Sequence, residues 1–179
     1  MTNTLTVDQL QELLQIQKEF DDRISTLNLQ DSKIAYVVEF FEWFNTLETF
    51  KNWKKNPGKP LDVQLDELAD MLAFGLSIAN QVGTTAKELK EVMEQIYNHE
   101  DFDGGKFNFK DAKFAESVIV GITEVVFEEI YNDKELAILV IDIARDIYTV
   151  DDLITAYKKK MERNHARQDG TADAGKGYV

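Results

Sequence analysis

The chain has 179 residues, with 33 Asp plus Glu against 20 Lys plus Arg, so its formal charge is −13, and it contains no Cys and only two Pro. This acidity excludes a protein that coats nucleic-acid phosphates, because such binding takes a basic surface that can displace counterions, and an anionic membrane surface repels it too. Without Cys there is no disulfide framework, no thiolate nucleophile and no Cys-ligated zinc.

The length is one domain's worth, and 44% hydrophobic residues, eleven Phe among them, supply a core despite the charge. No apolar run reaches a membrane span, and the first residues lack the basic start and cleavage site of a secretory signal, so the expected compartment is the cytoplasm. Both prolines, Pro57 and Pro60, share one stretch, and the glycines concentrate at Gly58, at Gly104 and Gly105, and in the last residues. Breakers this sparse leave long helices.

Thr6 with Gln9 forms a capping box, and Leu10, Leu13, Leu14, Ile16, Phe20, Ile24 and Leu27 carry helical spacing to about residue 28. Asp31 or Ser32 caps a second helix through Ile34, Val37, Val38, Phe41, Phe44 and Leu47 to about Lys54, where the Asn-Pro-Gly-Lys-Pro stretch stops it. A third helix over about 61–81 has Leu65, Leu68, Leu72 and Leu76 as its spine. Thr85 with Glu88 opens a fourth to about Tyr97, and a polar loop with three Phe follows. Helices over about 110–131 and 134–147 come next, and a last one runs from near Thr149 to about Arg167. The fold class is therefore all-α, a bundle of six to seven helices. The expected organisation is one domain over 1–167 and a flexible Gly-rich tail over 168–179. Residues 158–179 hold six basic and three acidic side chains, a local +3 that leaves −16 on residues 1–157.

Two acidic pairs stand out against this background. From Ile34 to Phe44, nine of eleven residues are apolar or aromatic, and the only charges are Glu39 and Glu42. Such a helix reads as largely buried, and residues three apart share a side of it. From Glu67 to Thr85 the only charges are Glu67 and Asp70, again three apart. Adjacent buried anions are costly to desolvate and push each other's pKa upward, so something must compensate them. Salt bridges to Lys33, Lys51 or Arg145 are one compensation. The other is a hard cation, since oxygen-only ligands select Mg²⁺ or Mn²⁺. Glu88, Glu91 and Glu94 also recur at spacing three, but they sit among Lys87, Lys90 and Gln95 and read as a solvated face.

Glu39-x-x-Glu42, Glu67-x-x-Asp70, the run Lys160-x-x-x-Asn164-x-x-Arg167 and Gly175-Lys-Gly-Tyr178 together resemble the dimeric all-α dUTP diphosphatases (dUTPases) of the MazG-like nucleotide pyrophosphatase superfamily, phage and Gram-positive members in particular. The resemblance implies that Glu39, Glu42, Glu67 and Asp70 bind two or three Mg²⁺ ions, with Mn²⁺ as a substitute, and that Glu39 orients or deprotonates the attacking water. Lys160, Asn164 and Arg167 fall at i, i+4 and i+7, hence on one helix face suited to phosphates or the sugar. Lys176 and Tyr178 on the tail then act as a lid, and Lys54, in a Trp-Lys region like the family's, approaches the phosphates. Trp53 beside it reads equally as core packing. For the base, the resemblance points to Gln17 with Asp21 and to a stacking Phe74, although Asn often stands in place of Asp21 and the family's His after the Asp of the second acidic pair is absent.

The implied reaction converts dUTP, with dUDP as a second substrate, to dUMP, in a homodimer for which phage relatives suggest a repressor partner. Three other readings stand beside it. They are a pyrophosphatase for another dNTP, a ferritin-like di-iron protein resting on Glu162-x-x-His165, and a non-enzymatic helical interaction module.

Overall fold

The computed structural model describes residues 4–98, 107–127 and 133–173. Seven helices follow one another: α1 (Val7–Asp21), α2 (Leu29–Leu47), α3 (Leu61–Gln81), α4 (Ala86–Asn98), α5 (Ala112–Phe127), α6 (Glu135–Ile147) and α7 (Val150–Gln168). No strand occurs among the described residues, so the all-α class holds, and no described helix is long and apolar enough to cross a membrane.

The expected caps are in place. Thr6 and Gln9 exchange both bonds of a capping box, Thr85 and Glu88 do the same, and the Thr149 hydroxyl accepts from the Asp152 amide at 3.0 Å. These bonds satisfy amide donors that the first helical turn leaves open.

Two helix ends differ from the sequence expectation. α1 stops at Asp21 rather than near 28, because the amides of Arg23 and Ile24 turn back to the carbonyls of Phe20 and Asp21. Ile24 and Leu27 thus keep helical spacing while lying in a tight turn. Asn28 then caps α2, accepting from the Asp31 amide at 2.9 Å, three or four residues before the expected cap. At its other end α2 stops at Leu47 instead of Lys54, because Glu48 adopts a left-handed backbone at φ 55°. The buried Glu48 carboxylate receives the ammonium of Lys54 at 2.6 Å, that of Lys51 at 3.2 Å and the Gly58 amide at 3.0 Å. One side chain therefore organises the whole connector to α3, and Lys54, the largest cause, pulls the Glu48 pKa down to about 2.

α3 sits at the centre, packed against α1, α2, α6 and α7. Its leucine spine, Leu65, Leu68, Leu72 and Leu76, is buried as expected. Gly75 permits the crossing with α6, since a Cβ there would lie 3.0 Å from the Ala137 Cα. Two of the loop phenylalanines, Phe107 and Phe109, join Trp43, Phe44 and Phe114 in an aromatic cluster; the third, Phe102, lies outside the described residues. The Trp43 indole N–H donates to the Tyr148 hydroxyl, which donates in turn to Gln64.

α2 is buried on one face only. Tyr36, Phe40 and Trp43 are fully enclosed, but Ile34 and Val38 are 47% exposed and Phe41 37%, recurring at i, i+4 and i+7 as an open apolar stripe. Trp53 is 72% exposed, which removes core packing as its role.

Candidate active site

Three helices converge on the carboxylates. α2 contributes Glu39, α3 contributes Glu67 and Asp70 one turn apart, and one ligand oxygen from each of the three falls within 4.8 Å of the others. Glu42, the fourth expected member, is exposed one turn along α2 and is not in that group. α7 supplies Lys160, whose ammonium donates to Asp70 Oδ2 at 2.6 Å and to Asp66 Oδ2 at 2.7 Å. The cations named as alternative compensation are engaged elsewhere: Lys33 with Asp133, Lys51 with Glu48, and Arg145 with Asp142 and Asp146.

One ammonium does not balance this cluster. Burial pushes the Glu39 carboxyl up to about 8, and the neighbouring charges of Asp70, Glu42 and Glu67 push the same way, with Lys160 opposing. Asp70 and Glu67 are raised as well, burial again being the largest cause. Glu39 Oε2 is buried with no hydrogen-bond partner. A buried acceptor in that condition costs about 1–3 kcal/mol unless a ligand satisfies it. Oxygen donors, close convergence and an orphaned lone pair together fit a hard divalent cation.

A second polar site lies between α1, α3 and α7. Gln17 and Asp21, both buried, are joined by the Gln17 amide N–H donating to Asp21 Oδ1 at 2.7 Å. The Tyr157 hydroxyl donates to Gln17 Oε1 at 3.1 Å, which orients the amide. Burial raises the Asp21 pKa, the hydrogen bond from Gln17 and then the nearby Ser77 hydroxyl lower it in part, and Oδ2 has no partner. Phe74, half-buried, is four residues after Asp70 and three before Ser77, so on α3 it lies between the two sites.

Along α7, Arg167 donates to Asn164 Oδ1 at 2.9 Å and, through Nε, to Asp173 at 2.6 Å, while Arg163 reaches the same aspartate at 3.1 Å. The structure thus brings together Glu39, Glu67, Asp70 and Lys160, and separately Gln17 with Asp21. Lys54 is bound to Glu48 in the connector, and Lys176 and Tyr178 lie outside the described residues. Asp66, Tyr157 and Ser77 were not singled out from the sequence, because their partners are distant along the chain or visible only once the helices pack. His165 packs edge-on against Phe20 and contacts Arg23, and Glu162 beside it is exposed.

The all-α frame sets half-buried carboxylates beside a second, buried polar pair, and the family to which the chain belongs makes it a hydrolase acting on acid anhydrides. More particularly, residues 9–171 match the model of the protein family described as dUTPase, and the chain belongs to that family. Its activity is accordingly that of a dUTP diphosphatase, hydrolysing dUTP to dUMP. Among curated proteins, none matches the chain.

Proposed function

We propose that the hydrolysis is magnesium-dependent and that Glu39, Glu42, Glu67 and Asp70 hold the ions. The observation that carries this reading is the buried, unpartnered Glu39 Oε2 beside Glu67 and Asp70. When ionised, these three carboxylates carry three negative charges that the Lys160 ammonium, shared with Asp66, offsets only in part, an excess that a divalent cation can cancel. Glu42 would help to hold a second or third ion, and Mn²⁺ would substitute for the same hard-ligand reason. Bound cations supply charge neutralisation at the phosphate oxygens and acidify nearby water.

The side chains do the rest. Water adds at one phosphorus of the α–β bridge, the bridging P–O bond breaks to give dUMP and pyrophosphate, and Glu39 takes the water's proton. Lys160 has one N–H beyond those given to Asp66 and Asp70, and with Asn164 and Arg167 it offers donors along one face of α7 to the phosphates and sugar. Lys54, Lys176 and Tyr178 complete that role by resemblance, the last two from the end of the chain beyond the described residues, whereas Gln168 still belongs to α7 and Asp169 and Asp173 pair with Arg23, Arg163 and Arg167. For the base, Asp21 Oδ2 accepts the uracil N3–H and the second amide N–H of Gln17 donates to a ring carbonyl, with Phe74 stacking. Neutral cytosine has no N3–H and leaves Asp21 unsatisfied, which favours dUTP over dCTP. dUDP contains the same α–β bridge and serves as a second substrate. The open stripe of Ile34, Val38 and Phe41 on α2 supports a homodimer, and the setting is the cytoplasmic nucleotide pool.

The test is pyrophosphate release from dUTP, dCTP, dTTP and dATP with and without Mg²⁺, for wild type and Glu39→Gln. Release confined to dUTP with Mg²⁺, and a loss on the order of 100-fold or more in the variant, is expected for removal of a general base. Equal rates for the two proteins would sink the assignment of Glu39.

A further inference from the structure

Asp66 has no part in the site as described, yet it holds one end of Lys160. Among the described residues Lys160 is the only buried Lys or Arg, with its side chain 6% exposed, whereas the Asp66 side chain is 48% exposed. The dependence therefore runs one way. Water can solvate the Asp66 carboxylate, but the ammonium relies on its carboxylate partners, and a buried charge stripped of partners is strongly destabilising. One of those partners, Asp70, is also in the carboxylate group with Glu39 and Glu67; Asp66 is not. Asp66 and Asp70 are four residues apart, so α3 presents them on one face with the ammonium between them.

We propose that Asp66 is a positioning residue for the cation site: it retains the Lys160 ammonium while Asp70 serves a divalent cation, so that ammonium and cation do not compete for one carboxylate. This rests on the metal-site reading given above. In wild type the ammonium moves its weight onto Asp66 and stays beside the site, ready for phosphate. Without Asp66, Asp70 is, among the described residues, the only carboxylate left hydrogen-bonded to the ammonium. A cation must then expel a buried ammonium or leave it unpaired, and its affinity falls. With no ammonium at position 160, Asp66 has nothing to hold, and its own solvent-screened charge matters little.

The experiment measures binding of Mn²⁺ alone, by the electron paramagnetic resonance signal of the free ion, at a temperature well below the unfolding transition of every variant. Asp66→Ala is expected to weaken binding about tenfold, in line with the loss of an outer partner of a metal ligand, and Asp66→Glu to restore most of it. In a Lys160→Met background, Asp66→Ala is expected to change affinity by less than about twofold, because coupling vanishes when the partner is gone. Wild-type affinity in Asp66→Ala overturns the proposal. So does an undiminished loss in the Lys160→Met background, which would make Asp66 a ligand or a plain surface charge. A purely structural clamp between α3 and α7 would lower thermal stability without moving Mn²⁺ affinity, and that result overturns it as well. Glu39→Gln and Asp70→Asn separate the two levels of argument. If neither alters Mn²⁺ binding, the carboxylate site itself is wrong and Asp66 falls with it; if both abolish binding while Asp66→Ala does not alter it, only the role of Asp66 fails.

Discussion

On the proposed metal site, cation binding at Glu39 is expected to be coupled to proton release. The Glu39 carboxyl stands at about 8 in the cation-free protein, chiefly through burial and secondarily through Asp70, Glu42 and Glu67. One pH unit below that value, at pH 7, roughly nine-tenths of the molecules carry the proton. A divalent cation takes only the carboxylate, so binding at pH 7 expels about 0.9 proton from Glu39, falling to about 0.1 at pH 9. Affinity accordingly rises about ninefold between pH 6 and pH 7 but only about twofold between pH 8 and pH 9, following the ionised fraction. Glu67 and Asp70 are also raised, so they add release of the same sign. Isothermal calorimetry of Mn²⁺ into the protein at pH 7, in buffers of different ionisation enthalpy, reads the proton count as the slope of observed against buffer enthalpy. Glu39→Gln is expected to lower that slope by most of one proton. A slope that the substitution leaves unchanged would refute the reasoning, because the proton would then come from some other group.

Two further outcomes follow from the same geometry. Because the folded Glu39 pKa lies above its unfolded value of 4.5, the folded chain binds more protons between these limits, and the cation-free protein loses stability as pH rises from about 4.5 to about 8. The unscreened linkage is about 5 kcal/mol, reduced to about 2 kcal/mol because the site is partly open to water; thermal melts in EDTA that rise over this interval, or that Glu39→Gln fails to flatten, contradict it. On the α2 stripe, Val38→Lys is expected to convert the proposed dimer to a monomer by light scattering with helicity unchanged, and a dimer in that variant removes α2 as the interface.

Much of the fold was legible because its punctuation is local. Thr6, Thr85 and Thr149 mark helix starts with bonds that reach only three residues, and the leucines of α3 keep one spacing throughout. The misjudged ends have the opposite character. Ile24 and Leu27 bury apolar surface from a turn, which periodicity does not separate from a helix, and α2 ends on the left-handed backbone of Glu48, a residue type that gives no such signal. The acidic pairs were visible because isolated charges in an apolar run are improbable without a use. Their compensation was not: Lys160 reaches Asp66 and Asp70 across 94 and 90 residues, and Tyr157 reaches Gln17 across 140. The apolar face of α2 looked like core because an exposed apolar stripe and a buried one have the same sequence pattern.

These pairings also bear on how an acidic chain takes a polyanion. Three basic residues of α7 do not present bare charge: Lys160 is held by Asp66 and Asp70, and Arg163 and Arg167 by Asp173. A triphosphate that arrives before the cation meets anions at the site with their counter-charges already engaged. On the proposed mechanism, divalent ions at Glu39, Glu67 and Asp70 would cancel that anionic charge, and Lys160, Arg163 and Arg167 could then each exchange a carboxylate for a phosphate oxygen at little cost, one charged acceptor replacing another. On the proposed mechanism, substrate affinity is therefore conditional on the cation, and the order of binding is set by the carboxylates of α2 and α3 rather than by the basic end of the chain.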